Sequence, residues 1–266
     1  MRRGLVPLIL SLVLAATPVA WAADETASFR LDFEAYLGGF RVMSIASEGH
    51  YTVQGYAIEA AARTRGVVGW FGNWVGNGTS AGAVTAAALA PRMHRDDSAW
   101  RGDKRFVEID YAADGSVTVT AEPPPEKDNR DPVPPGETRG TMDSLSAVVA
   151  LIRAVNAAGG CAGETRIFDG RRRFDLKLSG GEQVVLEKSD LLAYGGPALK
   201  CAGTIRRIGG FWKGTDYRLD DGKPSYVWMA RANPSDPLLP VRMEIETGLG
   251  TLVVNLSAQT KPNGKP

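Results

Sequence analysis

The chain has 266 residues, 44% of them hydrophobic and 23% charged, values that exclude wholesale disorder, collagen-like repeats and a multi-span membrane protein. Lys+Arg 31 against Asp+Glu 30 leaves no basic excess to neutralise a phosphate backbone, so nucleic acid is not an expected partner. The two cysteines and two histidines (His50 and His94) are too few for a zinc ribbon or an iron–sulfur centre.

Met1-Arg2-Arg3 leads into an apolar run over Leu5–Val19 and then Ala20-Trp21-Ala22. A positive start, an apolar stretch and an A-x-A site predict a signal peptide over residues 1–22, cleaved after Ala22. The run is shorter than the roughly 20 residues a membrane span needs, and Pro7 and Pro18 interrupt it. The arginine pair lacks the flanking residues of a twin-arginine signal, and no cysteine follows the cut to carry a lipid. The mature chain is therefore expected in the periplasm, soluble and without a transmembrane span.

From Ser28 onward the dominant period is two. In Phe29–Leu37 the odd positions are apolar and Arg30, Asp32 and Glu34 polar, the pattern of a half-buried strand. Gly38-Gly39 turns it into Phe40–Ser47, and Tyr51–Arg65 continues the meander. Next come Trp70, Phe71 and Trp74 among Gly66, Gly69, Gly72, Gly76 and Gly78, read as a glycine-rich loop. Its aromatics either anchor it to the core or stand at a surface that binds something apolar.

Lys104–Tyr111 and Ser116–Glu122 flank Asp114-Gly115, a hairpin signal. A proline- and charge-rich loop over Glu122–Gly136 precedes Asp143–Ala158, whose apolar residues recur at helical spacing. Asp143 or Thr141 can cap this helix, and Gly159-Gly160 ends it. Its polar stripe is narrow, Ser146, Arg153 and Asn156, so burial on nearly all sides is predicted. Further strands are predicted at Arg166–Leu178, Gln183–Glu187, Ala202–Ile208, Ser225–Arg231, Val241–Glu246 and Thr251–Ser257.

About a dozen strands and one helix predict a mainly β fold. Its form would be a single strongly curved antiparallel sheet, a half-barrel or β-spiral, wrapped around the buried helix. Residues 23–258 would form one β-rich domain and 259–266 a flexible C-terminal tail.

Cys161 and Cys201, carried into an oxidising space, are expected to pair, stabilising the fold by roughly 4 kcal/mol on loop entropy. Within Phe168–Asp175 charge is concentrated. A solvated strand face with a glycine bulge at Gly170 and Asp169–Arg pairing accounts for it better than an anion site does. His50 and His94 have no serine or cysteine elbow beside them, and no G-x-S-x-G occurs. No carboxylate pair stands out among the acids, and Gly209-Gly210 lacks the context of a phosphate loop. Neither enzymatic activity, nor a metal, nor a cofactor is expected.

Seven segments belong together: Tyr36–Phe40, Ala62–Gly66, Val68–Phe71, Trp100–Gly102, Asp143–Ala147, Phe168–Leu176 and Leu239–Arg242. In this order and spacing they resemble the exported Gram-negative bacterial family numbered 3108 among the domains of unknown function, over about Phe29 to Leu256. The resemblance implies a curved antiparallel sheet around a helix and brings no catalytic residues. More distantly the chain is similar to periplasmic lipoprotein carriers and β-spiral envelope-integrity proteins.

The reading that follows is a non-catalytic, monomeric protein of the cell envelope. It would hold a hydrophobic ligand, a lipid or acyl chain, in the concave sheet. Trp70, Phe71 and Trp74 would form the rim, and Val149 and Ile152 the helix wall. The alternatives are a scaffolding module for envelope proteins or peptidoglycan, and a hydrolase using unidentified carboxylates.

Overall fold

Alternation along the first strand points Phe29, Leu31, Phe33 and Ala35 into the interior and leaves Arg30 exposed, and the rest of the fold repeats this rule. The computed structural model describes residues 27–260 apart from 67–68, 70–71, 86–87, 125–126, 128, 215–223 and 235. The predicted signal peptide, most of the predicted tail, Trp70 and Phe71 lie outside the described residues.

Seven strands precede the helix: β1 (Ala27–Leu37), β2 (Phe40–Tyr51), β3 (Gly55–Thr64), β4 (Trp74–Val84), β5 (Leu89–Trp100), β6 (Asp103–Tyr111) and β7 (Val117–Glu122). After α1 (Ser144–Ala158) come β8 (Gly163–Phe168), β9 (Arg173–Leu186), β10 (Gly196–Gly209), β11 (Ser225–Ala230), β12 (Leu239–Thr247) and β13 (Gly250–Thr260). They form one 13-stranded sheet in the order β7-β6-β5-β4-β3-β2-β1-β13-β12-β11-β10-β9-β8. Every neighbouring pair is antiparallel, and β1 with β13 joins the two halves of the chain.

The edge strands β7 and β8 share no ladder, so the sheet is not closed into a barrel. Side chains and single backbone contacts close the seam instead. Val107 of β6 packs with Phe168 of β8, and a Cβ on Gly170 would stand 2.2 Å from Val107 Cγ1. Met142 donates to and accepts from β8, and the Gly140 N–H donates to the Gly115 carbonyl at 2.9 Å. The ion pair of Arg173, 1% exposed, with Asp175 pins the connection further, since Arg173 Nε also donates to the Glu137 carbonyl at 2.8 Å.

The mainly β sheet curved around a helix is as predicted; three local readings are corrected. Arg166–Leu178 is not one bulged strand but a hairpin. Asp169 Oδ1 accepts the N–H groups of Arg171 and Arg172, and Gly170 takes φ 85°, an Asx turn between β8 and β9.

The glycine-rich stretch is strand β4 from Trp74 onward, and Leu89–Trp100, unread in the sequence, is β5. Packing requires glycine at position 82 on the inward face of β4, where a Cβ would lie 2.4 Å from the Ala90 carbonyl oxygen, and leaves less room than usual at Gly78, where one would lie 3.1 Å from Leu145 Cδ1. The strand pattern is hidden in the sequence because three of its inward residues, Gly76, Gly78 and Gly82, have no side chains to alternate.

On α1, Ser146 is fully buried while Val148 is 41% exposed, so the polar stripe faces inward at its start. Asn156 also faces protein, donating to the Leu238 carbonyl at 2.9 Å and accepting the Leu238 N–H at 2.8 Å. The predicted disulfide is present: Cys161, just beyond the helix, is bonded to Cys201 in β10, with the Cα atoms 5.4 Å apart. At the far end of the sheet β13 pairs with β1 as far as Thr260, opposite Arg30.

Candidate functional site

The inward faces of β3, β4 and β5 are built from matched pairs. Ile58 stands opposite Ser80, Ser80 opposite His94, and Gly78 opposite Asp96. The helix begins over this patch. Its N-cap, Asp143, is 0% exposed and accepts the N–H groups of Leu145 at 3.0 Å and Ser146 at 2.9 Å on Oδ1.

The same carboxylate is the sink of a buried polar hub. Ser80 donates to Oδ1 at 2.6 Å and Ser146 donates to Oδ2 at 2.6 Å. Tyr111 reaches Oδ2 at 3.5 Å. Each serine has one hydroxyl proton, and both protons are committed to Asp143. It follows that Tyr56 donates to Ser146 Oγ at 2.6 Å, and that His94 donates from Nδ1 to Ser80 Oγ at 2.8 Å. Nδ1 also stands 3.3 Å from Asp143 Oδ1. Nδ1 is thereby the donor in this network, and an imidazole that carries a single proton presents Nε2 as an acceptor.

Burial pushes the Tyr56 and Tyr111 hydroxyls well above the usual tyrosine range, and the Asp143 charge adds to both shifts. Both phenols thus stay protonated as donors.

A serine, a histidine and an aspartate in contact invite comparison with a nucleophilic triad, but the geometry is different. In a triad the serine sits at Nε2 and the acid at Nδ1. Here both lie on the Nδ1 side, and Ser80 is 2% exposed with its proton held by the cap. The hub fixes the helix to the sheet.

Beyond His94 opens a cavity of about 500 Å³ on the concave side. Its floor is small and apolar, Ala60, Ala62, Gly76 and Gly78, with Leu145 of the helix on one wall. The Trp74 ring covers Gly76, where a Cβ would lie 2.6 Å from Trp74 Cζ2. Charged residues complete the lining, Arg105, Arg130, Arg171 and Arg172 with Asp96 and Asp169, and the Asp96 carboxylate stands beside Gly78, where a Cβ would lie 3.6 Å from Oδ2. Asp169 is engaged by its own turn and by Arg172 Nε at 2.7 Å. Arg130 stacks over Trp212 at 4.0 Å. Asp96 has no hydrogen-bonding partner among the described residues; burial raises its carboxyl above the usual range, the charges of Asp97 and Asp169 add, and His94 opposes.

Of the residues singled out in the sequence, Trp74 lines this cavity. Val149 and Ile152 are each 2% exposed and pack into the main core with Phe33 and Leu256. His94, Asp96 and Ser80 were not read as a site. The available signal was the run of polar residues His94, Asp96 and Ser98 at every second position, which marks a polar inward face once β5 is recognised as a strand. Among the described residues no three His, Cys, Asp or Glu side chains converge as a metal centre, and no helix is long and apolar enough to cross a membrane.

A family model described as protein of unknown function (DUF3108) matches residues 32–257. A crystal structure of a β-barrel-like protein of domain of unknown function DUF1849 from Brucella abortus has a similar fold. Its TM-score is 0.50 at 12% identity, covering 89% of this chain and 98% of that one. No curated protein matches the chain.

Proposed function

This chain belongs to the DUF3108 family of proteins of unknown function, and on that premise we propose that it is an exported cell-envelope protein that binds the apolar part of a lipid or acyl-chain ligand without transforming it. The observation that carries the reading is the concave cavity of about 500 Å³, whose floor of alanines and glycines under Trp74 is smooth enough for a chain. Interior glycines on β4 keep this floor low, and the polar hub keeps the helix from sliding over it. The tripartite start of the sequence supports export to the periplasm, and a disulfide suits an oxidising compartment.

The test is titration of the purified full chain with a fluorescent fatty acid. Binding with a Kd on the order of micromolar, about −8 kcal/mol, is expected. Trp74→Ala should weaken it by about 1–2 kcal/mol while the protein stays folded, because the ring's contact area is lost. No binding at any attainable concentration would reject the ligand reading in favour of a scaffolding role.

A further inference from the structure

His94 is 5% exposed, its Nδ1 is committed to the hub, and its Nε2 has no partner among the described residues although the ring lines the cavity. Nε2 thus faces the cavity from a ring that is otherwise buried, where a ligand's N–H can donate to it. Two residues further along β5 stands Asp96, on the same inward face and in the same cavity. Strand geometry separates the two backbones by about 6.5–7 Å, within reach of one small head group. The wall thus offers two acceptors side by side, one of them an anion without a salt bridge among the described residues.

We propose that His94 Nε2 and the Asp96 carboxylate form a head-group site that selects a ligand with N–H donors, a primary ammonium. The inference rests on the cavity-binding reading above and adds the chemistry of the ligand's polar end. A primary ammonium carries three donors and a positive charge, so it satisfies both acceptors and neutralises Asp96 at once. A quaternary ammonium brings the charge but no donor. The arginines that share the cavity wall suit a phosphate beside the ammonium, which makes a zwitterionic phospholipid head the best match. Burial has already raised the Asp96 carboxyl, and an arriving cation would reverse that shift.

The experiment compares a lysophospholipid with an ethanolamine head against one with the same chain and a choline head, on the full chain. The two have equal net charge and differ at the N–H donors. The ethanolamine lipid should bind about tenfold tighter, the worth of one charge-assisted hydrogen bond. Asp96→Asn should narrow the preference to within about twofold while the choline lipid still binds. Nitrogen-15 NMR of the imidazoles, with His50→Gln to assign them, should find the His94 proton on Nδ1 and the Nε2 signal shifting only with the ethanolamine lipid.

Equal affinity for both lipids, a preference that survives Asp96→Asn, or a proton on Nε2 in the free protein would overturn the proposal while leaving the cavity reading intact. Binding of neither lipid would overturn both.

Discussion

Ser80 and Asp143, 63 residues apart in sequence, meet at 2.6 Å in the interior, with the serine hydroxyl donating to the carboxylate. This one bond joins the middle of β4 to the N-cap of α1, and the rest of the hub is arranged around it. A carboxylate that caps a helix and also collects two serine hydroxyls is not matched by asparagine, which keeps one acceptor oxygen but sets an NH2 donor against the Ser146 hydroxyl.

Asp143→Ala should therefore destabilise the protein by about 3–5 kcal/mol, the sum of a lost cap and orphaned buried donors. Ser80→Ala removes one donor and should cost only about 1–2 kcal/mol. Urea unfolding of the two variants measures the difference. Equal costs would mean that the hub does not converge on Asp143.

Reduction of the Cys161–Cys201 bond, or Cys201→Ala, should lower stability by about 2–5 kcal/mol. Alkylation of the native protein without reductant should label neither cysteine. Mass spectrometry reads the second outcome and a thermal melt the first.

Two glycines of β4 should respond differently to the same substitution. At Gly82 a new Cβ would meet backbone, the Ala90 oxygen at 2.4 Å and Pro91 Cα at 2.8 Å, so Gly82→Ala should cost about 1–3 kcal/mol. At Gly78 the obstacle is the mobile end of Leu145 at 3.1 Å, so Gly78→Ala should stay within about 1 kcal/mol of the parent. Paired denaturant curves check the ordering.

The Asp96 carboxyl, raised mainly by burial, predicts a pH dependence. Between the ordinary carboxylate range and the raised value the native state holds more protons than the unfolded chain. Stability contributed at this site therefore falls as pH rises through that window. Asp96→Asn should be more stable than the parent at about pH 7, and the gap should close at about pH 3, where both side chains are neutral. A gap that is constant with pH would mean that Asp96 is not desolvated.

Much of the fold was legible without coordinates. Period-two alternation in β1, the Gly38-Gly39 and Asp114-Gly115 turns, the Asp143 cap and the two cysteines are local or compositional signals, and each acts over a few residues or leaves few choices. The strands β4 and β5 were not legible. Gly76, Gly78 and Gly82 serve as the apolar side of β4 by having no side chain, and β5 turns His94, Asp96 and Ser98 inward, the reverse of the usual pattern. Both features make sense only once the helix, set by a carboxylate far along the chain, is laid against them. The site is where those two strands meet that helix, so its chemistry depends on contacts between residues far apart in sequence. Local propensity decides which segments extend or coil; only tertiary packing decides which buried polar groups find partners and which are left facing a cavity.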